Sequence, residues 1–188
     1  GWQKLANGAL SYWENGQAVT GEKEIDGATY FFTESSAMQT SWQYLNNQWY
    51  YFNPANGQRL TGWQAVDKNW YYLNESGAMA TDWKKLDAWY FLAKDGQMRT
   101  DWQISNNQWY YLFGSGKMAQ NWLSLNQDWY YLSGDGAMRT KWQSVNGHWY
   151  YFDQSGTMCT GWQWVNGAWY YLSPSGDMGV GWQYINGQ

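Results

Sequence analysis

The chain has 188 residues, of which 22% are aromatic, with 18 Trp and 17 Tyr; yet its mean hydropathy is only −0.75, because the rings sit among Asn, Gln, Gly, Ser and Asp. With 11 Lys and Arg against 15 Asp and Glu, net charge −4, it lacks the basic clusters that a nucleic-acid backbone requires. One cysteine, Cys159, excludes an internal disulfide, and no apolar run approaches the 18 residues of a membrane span.

Length alone allows one domain or two, but an internal repeat overrides that prior. Trp recurs at Trp42, Trp63, Trp83, Trp102, Trp122, Trp142, Trp162 and Trp182, with gaps of 21, 20, 19, 20, 20, 20 and 20. Trp2 stands 40 residues before Trp42, which leaves room for one unit without this Trp. A Trp-Tyr-Tyr block and then Gly-x-Met follow in phase. A fixed period near 20 residues marks a repeat array in which each unit buries its faces against its neighbours. The expected fold class is therefore all-β, a solenoid of stacked β-hairpin repeats.

The unit is clearest in Gly161–Met178. Asn166-Gly167 is a type I′ hairpin signal, because both central residues of that turn need positive φ. A two-residue turn pairs Trp162 with Tyr171, Gln163 with Tyr170 and Trp164 with Trp169. Side chains alternate along strands, so Trp162, Trp164, Trp169 and Tyr171 share one face, while Val165, Tyr170 and Leu172 share the other. An isolated hairpin is marginal in water and cannot hide two apolar faces. With little Leu, Ile or Val, aromatic stacking and hairpin ladders must carry the fold.

In chain order, residues 1–20 form a degenerate unit with Trp2, an Asn7-Gly8 turn and Leu10-Ser11-Tyr12-Trp13 in place of the aromatic block. Residues 21–41 form a second weak unit, in which Glu22 replaces the first Trp, Thr29 replaces the second, Asp26-Gly27 turns and Met38 remains. These two are expected to cap the array or to pack on a neighbouring module. Residues 42–61 restore the full set, with Asn46-Asn47 as turn, a loop one residue longer at Asn53-Pro54-Ala55-Asn56-Gly57, and Leu60 in the Met place. Residues 63–80 are regular. In residues 83–98, Trp83 and Trp89 are six apart rather than seven; a two-residue turn would pair Trp83 with Tyr90 and flip one Trp, unless a bulge or altered turn keeps the register. Residues 102–118, 122–138, 142–158 and 162–178 are regular, and 182–188 begin a further unit. Residues 42–181 are thus seven better-conforming repeats within a single array spanning 1–188. An opening on Gly-Trp, no signal peptide and an end inside a repeat are expected of a fragment of a larger protein.

Candidate chemistry is sparse. His148 stands at a turn position that elsewhere carries Gln48, Asn69, Gln108, Asp128 or Ala168, which reads as a variable solvent site rather than a base. No Cys/His set has metal spacing, and one such histidine makes no catalytic triad. The acids Asp67, Asp87, Asp95, Asp128, Asp135 and Asp153 occupy non-equivalent loop sites, and nothing makes them converge as glycosidase carboxylates do. Cys159 reads as a partly buried thiol without function. The module is read as non-catalytic, with neither metal nor cofactor.

Gly-Trp, an Asn-Gly turn, Trp-Tyr-Tyr-Leu/Phe and Gly-x-Met-x-Thr-Gly-Trp, recurring in phase over about nine and a half units, closely resemble the choline-binding repeat of Gram-positive surface proteins and murein hydrolases. Glucan-binding repeats of glucansucrases and clostridial toxin repeats share the aromatic block, but the second Trp and the Met fit the choline type better. A glucan- or oligosaccharide-binding module is the alternative. The resemblance implies a left-handed superhelix with choline sites between consecutive units. It implies phosphocholine of teichoic and lipoteichoic acid as ligand, a secreted, wall-attached location, an attached catalytic or adhesive module, and pairing of two copies through end repeats.

Combining the two Trp of one hairpin with the last Tyr and the Met of the next block gives the expected cages. They are Trp42, Trp49, Tyr72 and Met79; Trp102, Trp109, Tyr131 and Met138; Trp122, Trp129, Tyr151 and Met158; and Trp142, Trp149, Tyr171 and Met178. Trp63 and Trp70 would meet Phe91 and Met98. Trp83 and Trp89 with Tyr111 and Met118 depend on the register of the irregular unit. Glu22 and Thr29 are expected to remove the cage between the second and third units. The middle Tyr of each block, Tyr50, Tyr71, Tyr110, Tyr130, Tyr150 and Tyr170, is expected to serve packing instead.

Overall fold

The computed structural model describes residues 1–181; the start of a further repeat at 182–188 lies outside the described residues. The chain divides into two compact units, residues 1–99 and 100–188. Every regular element described is a β-strand. Unit one contains a three-stranded sheet (Trp2–Lys4, Leu10–Glu14, Gln17–Ala18) and four two-stranded hairpins. Those pair Gly21–Ile25 with Ala28–Phe32, Ser41–Leu45 with Gln48–Phe52, Gly62–Val66 with Asn69–Leu73, and Asp82–Lys85 with Trp89–Leu92. Unit two contains four more, pairing Asp101–Ser105 with Gln108–Leu112, Asn121–Leu125 with Asp128–Leu132, Lys141–Val145 with His148–Phe152, and Gly161–Val165 with Ala168–Leu172.

The register follows from the turns. Asn166 and Gly167 have φ of 52° and 84°, and Trp162 pairs with Tyr171, Trp164 with Trp169, as the two-residue turn requires. Where no glycine is present the same geometry is imposed on bulkier residues: Lys68 has φ 67° and Gln127 has φ 76°. The residue before the first Trp is also left-handed, at Gly62, Asp82, Asn121 and Lys141 alike.

The 82–92 hairpin keeps Trp83 opposite Phe91. Its connection is a three-residue loop, Leu86–Ala88, closed by the Leu86 amide donating to the Ala88 carbonyl at 2.8 Å. The altered turn absorbs the missing residue, so both Trp stay on one face. In residues 1–20, by contrast, the Asn15-Gly16 turn brings a third short strand onto the sheet, pairing Glu14 with Gln17.

Each hairpin ends its second strand on a fully buried Phe or Leu: Phe32, Phe52, Leu73, Leu92, Leu112, Leu132, Phe152 and Leu172 are all 0% exposed. The core is therefore a series of single apolar side chains, each lidded by rings. Leu132, for example, lies with Ala119 and Leu123 beneath Trp102, Tyr130 and Met138. Below that level the faces are aromatic, as the composition requires.

Between hairpins the chain makes one recurring connection. After the second strand a tight loop returns it, and the Met amide donates to the carbonyl of the second Trp of the preceding hairpin. Met79 bonds Trp49, Met98 bonds Trp70, Met138 bonds Trp109 and Met158 bonds Trp129, each at 2.8 Å. The next amide turns back to the last Tyr of its own hairpin, as Ala80 to Tyr72 and Arg139 to Tyr131, both at 2.8 Å. This alternation stitches neighbouring hairpins together and sets the Met beside the preceding Trp pair.

The glycine of Gly-x-Met is required twice over. Gly96, Gly136, Gly156 and Gly176 have φ between 81° and 88°, and a Cβ at any of them would overlap the side chain of the preceding unit's Met, namely Met79, Met118, Met138 and Met158. Each Met thus lies in a slot that only glycine leaves open.

Candidate functional site

The side chains that meet at each joint follow from how the hairpins stack. The Trp-bearing face of one hairpin turns toward the opposite face of the next, the face that carries the middle Tyr. Trp42 contacts Tyr71 with ring centroids 4.9 Å apart, and Trp63 contacts Tyr90 at 4.9 Å. Trp102 meets Tyr130 at 5.1 Å, Trp122 meets Tyr150 at 4.8 Å and Trp142 meets Tyr170 at 4.9 Å. All five are edge-on, between 63° and 73°. The two Trp of one hairpin also stand edge-on: Trp42 to Trp49 at 6.3 Å and 90°, Trp122 to Trp129 at 6.2 Å and 80°. Two indoles and a phenol therefore form three walls at steep angles, with the Met thioether beside them.

Three of these hollows are well formed. One is lined by Trp42, Trp49, Tyr71, Met79, Lys94 and Asp95, with a volume of about 330 Å³. A second, of about 340 Å³, is lined by Trp102, Trp109, Tyr130, Met138, Gln154 and Ser155. The third, of about 440 Å³, is lined by Trp122, Trp129, Tyr150, Met158, Pro174 and Ser175. These sizes suit a small molecule or headgroup. The second Trp of each pair is the most open wall: Trp49, Trp109 and Trp129 are 43–45% exposed.

This placement corrects one expectation. Tyr72, Tyr131 and Tyr151 were expected to close the cages but belong to the other side of their hairpins. There they lie across their own first Trp, as Trp63 to Tyr72 at 5.2 Å, Trp122 to Tyr131 at 5.3 Å and Trp142 to Tyr151 at 5.1 Å. Tyr171 lies against Trp162 in the same way, at 5.3 Å, and the Trp142 joint has Tyr170 instead. Phe91 likewise packs on Trp83 at 4.9 Å, so the joint of Trp63 and Trp70 receives Tyr90 and is not altered by the Phe. The reason is geometric: successive hairpins stack in the same sense, so residues that share the Trp side never face the Trp of the preceding hairpin. Trp42, Trp49 and Met79, Trp102, Trp109 and Met138, and Trp122, Trp129 and Met158 line the three hollows. Trp83 and Trp89 lie in unit one, Tyr111 and Met118 in unit two, and each is described within its own unit.

The loop residues were not foreseen. Gln154, Ser155, Pro174 and Ser175 form the lip of the hollow two hairpins earlier in sequence; their distance along the chain hides this. Also unforeseen is the Gln that follows the first Trp. Gln43, Gln64, Gln103 and Gln143 each donate to the carbonyl of the Thr three residues earlier, at 2.8–2.9 Å.

A second correction concerns residues 42–61. The bridge that Leu73 makes to Met79 is made by Phe52 to Arg59, so Arg59, not Leu60, occupies the Met place. The extra residue lies before Gly57, and Gly57-Gln58-Arg59 keeps the Gly-x-Met spacing.

No charged side chain lines the hollows at Trp102 and Trp122. Loop carboxylates are engaged locally: hydrogen bonds from Ser133 first, and then the Ala137 amide, hold the Asp135 carboxyl below its ordinary range, and Ser173 and Ser175 do the same for Asp177. Burial, followed by the nearby Asp153, pushes the Cys159 thiol up, which is the opposite of what a nucleophile needs. Among the described residues no group of three or more His, Cys, Asp or Glu is placed to hold a metal, and no helix is long and apolar enough to cross a membrane.

Stacked hairpins with equivalent aromatic hollows at several joints define a repeat-built module. The chain belongs to the choline-binding repeat family, which matches residues 19–61, 60–101, 84–122 and 139–181. A putative cell wall binding repeat matches residues 121–138. Among solved structures, CbpJ from Streptococcus pneumoniae TIGR4 is 36% identical with a TM-score of 0.86, covering 90% of this chain and 62% of that one. CbpF in complex with ipratropium is 35% identical with a TM-score of 0.78, covering 91% of this chain and 63% of that one. Choline binding protein F from Streptococcus pneumoniae, in a further crystal form, is 30% identical with a TM-score of 0.67, covering 99% of this chain and 88% of that one. The chain thus spans about three fifths of the length of the first two. Comparison with curated protein sequences finds none that matches.

Proposed function

We propose that the joints bind the trimethylammonium head of choline by cation–π attraction, and that the module thereby tethers an attached catalytic or adhesive module to phosphocholine on teichoic and lipoteichoic acid at the cell wall, outside the cell. The observation that carries this reading is the threefold recurrence of one constellation: two Trp, the middle Tyr of the next hairpin and a Met. A trimethylammonium group has no N–H to donate and is weakly hydrated, so what it needs is several negative ring faces around it and little else. Each face contributes about 0.5–1 kcal/mol when exposed and about 2 when desolvated. Three such walls give a site of roughly millimolar strength. Several weak sites on one chain, meeting a polymer that displays many cholines, gain by effective concentration. The module itself is non-catalytic in this reading.

A glucan binder is the weaker reading. A sugar ring lies flat on an aromatic platform and is oriented by hydrogen bonds, whereas these walls meet at 63–90° and the hollows at Trp102 and Trp122 have few polar groups.

Passage over an immobilised choline or tertiary-amine matrix tests the proposal. Retention with elution by free choline is expected, without retention on dextran. Flow-through from choline combined with retention on dextran would overturn it.

A further inference from the structure

The joint between the 21–32 and 41–52 hairpins departs from the others at three places at once. Glu22 stands where the first Trp stands, Thr29 where the second does, and Arg59 in the Met place. The backbone of the joint is nevertheless unchanged: the Arg59 amide donates to the Thr29 carbonyl at 2.7 Å, as Met79 does to Trp49. The Arg59 side chain takes the slot that Met takes elsewhere, since a Cβ on Gly77 would come within 2.6 Å of its Cδ. From there its guanidinium lies 5.7 Å from the centroid of Tyr50, the middle Tyr, and donates to Glu22 Oε1 at 3.0 Å.

We propose that this joint is a cage filled from within. The chain's own guanidinium takes the part of the ligand cation, bound by the same Tyr wall and by a carboxylate that replaces the first indole. The joint is therefore held shut without ligand and is closed to quaternary ammonium compounds. The substitutions make sense only together. Glu22 alone would place an unpaired carboxylate at the joint, and Arg59 alone would have no carboxylate to receive its guanidinium. Paired across 37 residues of sequence, each satisfies the other. A guanidinium also suits the place chemically, because it is planar, stacks on rings and donates to a carboxylate from the same group. The consequence is a division of labour within residues 1–99: this joint is locked permanently, whereas the Trp42 and Trp63 joints tighten when a cation enters. Exclusion of ligand rests on the choline reading, but the lock does not.

Residue-resolved amide hydrogen exchange on the full chain tests both parts, with choline chloride compared against equal sodium chloride. In the wild type, choline is expected to slow exchange at the Met79 and Met98 amides about tenfold and to leave the Arg59 amide within about twofold. In Arg59→Gln, and independently in Glu22→Gln, which keeps the packing, the amide at position 59 is expected to exchange about tenfold faster, with Met98 unchanged. Slowing of the Arg59 amide by choline as strong as at Met79 would overturn the closed joint. An unchanged amide at position 59 in both variants would overturn the lock. If choline slowed none of these amides, the choline reading would fall, and the two variants would still decide the lock.

Discussion

The middle Tyr of each block is the ring that faces the preceding Trp across the joint, and its contribution is separable from that of its neighbour. Tyr130 faces Trp102 across the joint, whereas Tyr131 lies on Trp122 within its own hairpin. Replacing Tyr130 by Leu removes one ring face from one cage. Its choline affinity is expected to fall roughly 3- to 30-fold, the equivalent of one cation–π wall. Tyr131→Leu is expected to lower the melting temperature and leave that affinity within about twofold. Calorimetric titration of both variants reads the difference. Loop carboxylates give a pH dependence of determined sign. Serine hydrogen bonds hold Asp135 and Asp177 below the ordinary carboxyl range in the folded chain. Their stabilisation is therefore fully present above about pH 4 and is lost as pH falls through the folded values. Thermal midpoints measured from pH 7 down to pH 3 are expected to hold and then drop, with a shallower acid drop in Asp135→Asn.

At the scale of the hairpin, turns and glycines set the limits. Gln127 occupies the second position of a type I′ turn at φ 76°. Gln127→Gly is expected to stabilise by about 0.5–1 kcal/mol, since a side chain in the left-handed region costs about 1–2 kcal/mol and glycine's lost entropy returns part of it. Gly156→Ala has the opposite expectation, destabilisation of about 1–2 kcal/mol, because φ 84° strains any side chain and the new methyl must also displace the Met138 thioether. Urea unfolding of the two variants measures both. The hairpin was largely legible in sequence: Asn166-Gly167 fixed the turn, and the period of two sorted Trp162, Trp164 and Trp169 onto one face. The irregular 82–92 unit was legible only as a choice, because its six-residue spacing is compatible either with a flipped Trp or with the three-residue loop found at Leu86–Ala88.

At the scale of the molecule, two things were not legible, both for reasons of stacking. Alternation along a strand says which residues share a face, but not which face of the next hairpin covers it. That is decided by the bond from the Met amide to the preceding Trp carbonyl, a contact about 30 residues apart with no local signature. The middle Tyr was therefore assigned to packing alone, whereas it both packs on the preceding Trp and lines the hollow. Arg59 was missed although Gly57-Gln58-Arg59 keeps the Gly-x-Met spacing, and its pairing with Glu22, 37 residues away, has no local signature. The resemblance to the family, by contrast, was carried by the Trp-Tyr-Tyr and Gly-x-Met motifs recurring in phase, and periodicity located the Trp positions. Repetition has a thermodynamic consequence: a ligand that binds only the folded joints stabilises the chain at every occupied site. The melting temperature is expected to rise with choline without saturating until well above the roughly millimolar single-site constant, and sodium chloride at equal concentration should not reproduce the rise.

Crystals soaked in choline chloride test the central claim most directly. The account predicts trimethylammonium density enclosed by Trp42, Trp49 and Tyr71, by Trp102, Trp109 and Tyr130, and by Trp122, Trp129 and Tyr150, and none at the Arg59 joint. Density seated instead against Tyr72, Tyr131 and Tyr151, or absent from all three hollows at saturating choline, would contradict it.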